Sequence, residues 1–247
     1  MKNNGSMNRH FRVIWNAATG AWQAVTEVVK GQGKCTSSKR LSPALVAGAF
    51  VLMSAAAYAD ALPTGGTVVG GSATMSQSGN NMTINQTTAK MAADWQSFSI
   101  GTDSTGTFNQ PSASSVALNR VVGADVSVIQ GALKANGQVF LLNPNGVLFT
   151  PTAQVDVGGI VASTLSLGTA DFMAGNYQFA GSSSNAIVNQ GNITTVNGGT
   201  IALIAAKITN SGTLTANSGN VLLGAGSQVT LDLGGPVKLQ VTQGAID

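Results

Sequence analysis

Cysteine, histidine and charge are the scarce commodities of this chain. Its 247 residues include one Cys, one His and 9% charged side chains, and Cys35 and His10 both stand near the N-terminus. From residue 60 onward there is no imidazole and no thiol. That excludes histidine-based or cysteine-based catalysis there, and zinc sites built on those ligands. It also excludes disulfide staples. Two readings of this lack stand side by side: a repetitive core that needs no staples, or a chain that must cross a second membrane without closed loops. Cationic character is lacking too, once the chain is divided. Residues 1–59 carry seven Lys and Arg against Glu27, which leaves five cations and eight anions, a net of −3, for residues 60–247. Nucleic-acid binding by phosphate neutralisation therefore has no basis in the larger part.

Long apolar runs are absent except one. Residues 41–57, LSPALVAGAFVLMSAAA, follow Lys39-Arg40 and lead into Ala57-Tyr58-Ala59 before Asp60. A basic flank, an apolar segment and a small-x-small site make the pattern of a secretory signal, with cleavage expected after Ala59. The run is short for a membrane span, and Ser42, Pro43 and Gly48 weaken it further. Residues 1–59 are thus expected to form a leader, with an extension and basic region over 1–40 and the hydrophobic region and cleavage site over 41–59. The extension mixes aromatics with cations from Met7-Asn8-Arg9 through Trp15, Trp22 and Lys34, and either Met1 or Met7 can be its start. Residues 60–247 are enough for one domain with a substantial core.

What that domain does contain is glycine, asparagine, serine and threonine between short alternating apolar runs, a pattern of many strands and no helix beyond one or two turns. The same words return at a fixed distance. Asn189-Gln190-Gly191-Asn192-Ile193 recurs as Asn210-Ser211-Gly212-Thr213-Leu214, and Asn197-Gly198-Gly199-Thr200-Ile201 as Asn217-Ser218-Gly219-Asn220-Val221. A unit of about 20 residues lies in the range of solenoid repeats. Stacking such units would set Val221 and Leu223 above Ile201 and Leu203, on the inward side with Ala205, and bury an aliphatic column. A β-sandwich gives no reason for turn words to recur at one offset. The expected fold is all-β, a parallel β-helix of about nine rungs. Asn at the corners would form side-chain ladders between rungs. Residues 60–100 would cap the open first strand edge, with Trp95 and Phe98 sealing that end of the core.

The central stretch carries the most specific words: Phe108-Asn109-Gln110-Pro111, Asn119-Arg120, Gly137-Gln138-Val139-Phe140-Leu141-Leu142-Asn143-Pro144-Asn145-Gly146-Val147-Leu148-Phe149, and Val155-Asp156-Val157-Gly158-Gly159-Ile160-Val161-Ala162-Ser163-Thr164. Asn143-Pro144-Asn145-Gly146 fits a type I turn, and Asn145 would also permit type II. Arg120 is one of five cations in its domain, and a nearby acid such as Asp125 would pair with it. Taken together with the leader, these segments resemble the haemagglutination-activity, or two-partner-secretion, domain at the N-terminus of filamentous haemagglutinins and contact-dependent inhibition exoproteins. The leader resembles the extended signal peptide of large Gram-negative exoproteins.

The resemblance implies a right-handed, pectin-lyase-like β-helix with an N-terminal cap and extra-helical strands. It implies passage through the inner-membrane secretion machinery and removal of the leader at Ala57, Ala59 and Asp60. Recognition would follow by an outer-membrane β-barrel transporter with polypeptide-transport-associated domains, and then release or display at the cell surface, where a host-cell or bacterial receptor is met. The secretion residues it singles out are Asn119, Arg120, Asn143, Pro144, Asn145 and Gly146. For Asn143–Gly146, bending the chain and direct recognition stay equally open. The family's second motif, of the Asn-Pro-Asn-Leu kind, has no clear counterpart here; Phe108-Asn109-Gln110-Pro111 is its nearest relative, and the departure leaves the transporter subgroup open.

The rival reading is a β-helical polysaccharide lyase or hydrolase, since fold does not fix function. Such sites need clustered carboxylates, and the eight acids of the domain are dispersed along the sequence. No catalytic residue, metal site or cofactor is expected. The pattern over 241–247 breaks off within a strand-like run, so the expectation is the front of a longer exoprotein or a truncated reading frame.

Overall fold

A computed structural model describes residues 11–16, 21–26, 62–234 and 237–244. The chain divides into two units, Met1–Leu52 and Met53–Asp247. In the first, strands Phe11–Asn16 and Ala21–Thr26 pair antiparallel, Phe11 opposite Thr26. The apolar run and the cleavage residues Ala57, Ala59 and Asp60 lie outside the described residues.

The second unit winds as a parallel β-helix with three faces. Sheet A stacks Asn81–Gln86, Thr105–Asn109, Ala132–Ala135, Gln154–Val157, Asn192–Thr195 and Thr213–Ala216. Sheet B stacks Lys90–Trp95, Val116–Val121, Gln138–Leu142, Gly159–Ser163, Thr200–Ala205 and Asn220–Ala225. Sheet C is shorter, with Ser127–Ile129, Val147–Phe149, Ala186–Asn189 and Lys207–Asn210. The N-terminal edges of A and B are closed by antiparallel strands, Ala73–Ser78 and Thr67–Gly70. This is the expected cap, and Trp95 and Phe98, each 1% exposed, pack edge to face beneath it at 5.4 Å.

The repeat read from the turn words is the stacking register. Asn189 lies beside Asn210, Ile193 beside Leu214, Ile201 beside Val221 and Leu203 beside Leu223. The amide ladders are present: Asn109 Nδ2 donates to Asn85 Oδ1 at 2.8 Å and Asn189 Nδ2 to Asn210 Oδ1 at 2.7 Å. Glycine at the A–B corner answers a close approach, because a Cβ on Gly199 would collide with the carbonyl oxygen of Gly158, and one on Gly219 with that of Gly199. The number of rungs differs from expectation. Six parallel strands stand in each large sheet rather than nine. The reason is that 62–80 builds the cap, 165–185 leaves the helix, and 228–243 folds back on its outside.

Sheet B departs from a simple one-sided pattern, because both of its faces are buried. Ile201, Leu203 and Ala205 point into the solenoid core, while Ala202 and Ile204 belong to a second core on the outside. Strands covered on both sides read as continuous apolar runs, and Val139-Phe140-Leu141-Leu142 is such a run. The outer core is roofed by Leu165, Leu167, helix Thr169–Ala174, strand Tyr177–Ala180 and the antiparallel strands Gln228–Asp232 and Lys238–Gln243. On the last rung, Val221 and Leu223 are 44% and 52% exposed, although their partners one rung earlier are fully buried.

Candidate functional site

Parallel register brings the two singled-out motifs to one place. Arg120 lies beside Leu142 of the next strand, so Asn119-Arg120 and the turn that begins at Asn143 share the corner where sheet B passes to sheet C.

Alternation on Val116–Val121 turns Asn119 inward and Arg120 outward. Asn119 is completely buried. Its Oδ1 accepts the indole N–H of Trp95 at 3.0 Å, and its Nδ2 donates to the carbonyls of Ala117 and Phe140, both at 3.3 Å. It therefore ties the capping aromatic to two rungs. Arg120 grips Asp94 with two hydrogen bonds, Nε to Oδ1 at 2.8 Å and Nη2 to Oδ2 at 3.0 Å. The expected pairing with Asp125 is corrected here: stacking places Asp94 of the first rung next to Arg120, whereas Asp125 lies beyond the strand's end. The remaining nitrogen, Nη1, reaches Thr169 Oγ1 at 3.3 Å and the Leu167 carbonyl at 3.5 Å.

The turn at 143–146 is closed by Gly146 N–H donating to the Asn143 carbonyl at 3.0 Å. Among the described residues Ser218 is the sole non-glycine with positive φ, so Asn145 takes the type I geometry. Gly146 has φ of 112°, a value that disfavours a side chain. Asn143 is fully buried and saturated. Its Nδ2 donates to the Asp125 carbonyl and to Ser127 Oγ, both at 2.9 Å, and its Oδ1 accepts from Asn145 N at 2.9 Å and Asn145 Nδ2 at 3.1 Å. Asn145 Nδ2 also donates to the Gly123 carbonyl at 2.9 Å. The Pro144 carbonyl accepts from Ser183 Oγ at 2.6 Å and Asn185 Nδ2 at 2.8 Å. Pro144 and Asn145 remain partly exposed, which leaves a rim on the surface above a buried anchor.

At the opposite, A–B end of the first sheet B strand, where Lys90 lies beside Val116, Lys90 Nζ donates to the carbonyls of Phe172 and Met173, at 3.2 and 2.9 Å, a helix end that favours cations. Burial pushes the Tyr177 phenol above its ordinary pKa. Phe108-Asn109-Gln110-Pro111 is elsewhere. Gln110 is buried at the A–B corner, where its Oε1 accepts from Gly137 N at 2.9 Å and its Nε2 donates to Gln86 Oε1 at 3.2 Å. Among the described residues no three His, Cys, Asp or Glu side chains gather closely enough to hold a metal ion. Asp94, Trp95, Ser127, Ser183 and Asn185 are partners that sequence reasoning missed. Asp94 and Arg120 belong to rungs of irregular length, and Ser183 returns from an excursion, so no constant offset signals them.

Comparison with known proteins agrees with the fold. The family model of the TPS secretion domain matches residues 59–246, and that of the extended signal peptide of the type V secretion system matches residues 7–56. The crystal structure of the HMW1 secretion domain from Haemophilus influenzae superposes with a TM-score of 0.68 at 32% identity, covering 74% of this chain and 50% of that one. A heme/hemopexin-binding protein of Haemophilus influenzae is 51% identical over 114 residues, 45% of this chain and 13% of the relative. The trimeric autotransporter adhesin AtaA of Acinetobacter sp. is 44% identical over 50 residues, 19% of this chain and 1% of the adhesin.

Proposed function

Because the chain belongs to the TPS secretion domain family, as a two-partner-secretion targeting domain, we propose that its B–C corner is the feature read by the cognate outer-membrane transporter. The extended signal peptide directs export across the envelope to a secreted or surface location. In our reading the leader is cut after Ala59, between Ala57-Tyr58-Ala59 and Asp60, and residues 60–247 pass to a β-barrel whose periplasmic polypeptide-transport-associated domains make the first contact. The single observation that supports the corner is the convergence of Asn119-Arg120 and Asn143–Gly146 in adjacent rungs, with Pro144 and Asn145 at the surface.

The same fold supplies a driving force. Each rung that stacks outside the cell buries apolar surface at about 25 cal/mol per Å² and offers a template for the next. Transit is thereby biased outward without ATP. We assign the domain targeting and nucleation of the β-helix, and no reaction of its own. The relatives' matched segments are a small fraction of their length, so the binding in their names stays with those proteins. An adhesin-like or inhibitory activity toward a host or bacterial surface would belong to sequence beyond this domain.

The test is secretion in cells that carry or lack the transporter, with wild type, Asn143→Ala and Asn145→Ala compared. Precursor is expected to remain in the periplasm for the variants. Normal export of both would overturn the role of the corner. N-terminal sequencing of the secreted wild type is expected to begin at Asp60.

A further inference from the structure

We propose that residues 165–185 form a strap that closes over the outer face of sheet B after the rungs beneath it have stacked, and that its closure withdraws the Arg120 guanidinium and the Pro144 carbonyl of the B–C corner from the transporter, while Pro144 and Asn145 stay partly exposed. The proposal rests on the reading of that corner given above.

The outer face of sheet B is apolar, whereas a solenoid's outer face ordinarily meets water. Leu118, Phe140, Leu142, Val161 and Ile204 are buried there by the strap and by Gln228–Asp232. Phe140 is the seat. Its ring meets Tyr177 at 5.1 Å, Phe172 at 5.9 Å and Phe179 at 6.4 Å, all three supplied by the strap. Without the strap this stripe lies open, beside the corner.

Three anchors hold the strap down, and each has its fixed half on an earlier rung. Arg120 bonds Leu167 and Thr169, Lys90 bonds the helix end at Phe172 and Met173, and the Pro144 carbonyl takes Ser183 and Asn185. Both motifs at the corner are therefore engaged by the same later segment. The strap contributes no strand to sheets A, B or C, so lifting it breaks no ladder within the rungs. Its strand Tyr177–Ala180 pairs with Gln228–Asp232, which follows the last rung, so closure is complete only when that rung has arrived. A chain that folds from its N-terminus thus shows an open corner first and a strapped corner last. Opening of a segment as one unit, with the rest folded, is the sub-global kind of motion seen by hydrogen exchange.

The experiment uses the whole 60–247 domain, in wild type, as Phe172→Ala, and as Ser183→Ala with Asn185→Ala, the milder pair should Phe172→Ala fail to fold. Native-state hydrogen exchange is expected to show the amides of Phe172 and Phe179 exchanging about tenfold faster in the variants, while those of Val139 and Leu141 are unchanged. The variants are expected to bind the transporter's purified periplasmic region about fivefold more tightly than wild type, because less free energy goes to opening the strap. Exchange of strap and rung amides at one common rate overturns the strap. Wild-type binding that the variants do not exceed overturns the withdrawal. Failure of every form to bind overturns the reading of the corner, and the withdrawal with it, while the exchange result still decides whether the strap opens.

Discussion

Asn143→Ala tests the corner most directly, because every polar atom of that side chain has a known partner. The change removes four hydrogen bonds, to the Asp125 carbonyl, Ser127 Oγ, Asn145 N and Asn145 Nδ2, at 2.9 to 3.1 Å, from a residue with no exposed surface. At about 1 kcal/mol net per bond, with some relief from rotation of the Ser127 hydroxyl, the loss comes to about 3 kcal/mol. For a urea slope of about 2 kcal/mol per M, the unfolding midpoint of the 60–247 domain falls by about 1.5 M. Asn143→Asp sharpens the test. It keeps the acceptor, loses both donations when ionised and only one when protonated, and turns a carboxyl toward the Asp125 carbonyl oxygen. Burial and that oxygen both disfavour the charged form, so the folded pKa of the new carboxyl lies above its unfolded value of about 3.9. A raised folded pKa means that stability is greatest below the unfolded value and declines as pH rises through the folded one. The deficit of Asn143→Asp against wild type should therefore be small near pH 4 and large near pH 7. A midpoint shift for Asn143→Ala below about 0.3 M, or a deficit of Asn143→Asp that does not change with pH, would refute this account of the turn. Export measured on the same variants separates folding from recognition. If the turn acts by folding, Asn145→Ala, whose side chain is partly exposed and has fewer partners, exports better than Asn143→Ala.

Replacing Arg120 by Gln or Asp94 by Asn should each cost about 1 kcal/mol, less at high salt because both side chains are about a quarter exposed, and Asp125→Asn should cost far less. A double-mutant cycle by urea denaturation checks the pairing, and coupling to Asp125 instead would contradict it. Gly199→Ala should destabilise by more than about 2 kcal/mol, since its new Cβ meets the Gly158 carbonyl, whereas Gly181→Ala, with neighbours at 3.5 to 3.7 Å, should cost much less. Equal urea midpoints for the two would remove the corner-packing argument. Tyr177 is the only tyrosine between residues 60 and 247. Its phenolate absorbance should appear above the ordinary 10.0, and stability, full below the unfolded tyrosine pKa, should fall as pH rises through the raised folded one. Titration at or below the ordinary value would show that the outer core is wet.

Much of this protein was legible in one dimension. Turn words that recur near every twentieth residue carry a solenoid's register, because each rung must present the same corner to its neighbour; Asn189 over Asn210 and Ile201 beneath Val221 follow directly. The cap, the sealing role of Trp95 and Phe98, and the type I turn at Asn143 are local consequences of strand edges, aromatic bulk and proline geometry. The rung number was overestimated because chain length counts excursions as rungs. The partner of Arg120 was misplaced because proximity in sequence favoured Asp125, whereas a parallel stack sets the neighbours of a side chain by register across rungs of unequal length. The second core was hidden for a related reason. A run such as Val139–Leu142 shows that both sides of a strand are covered but does not say by what. Only the folded chain, by returning 165–185 and 228–243 across sheet B, decided that the cover lies over Phe140, and that Asn119-Arg120 and Asn143–Gly146 meet at one corner. Periodicity is a property of each segment and can be read alone, whereas contact between segments with no common offset depends on where the backbone turns, and that is settled in three dimensions.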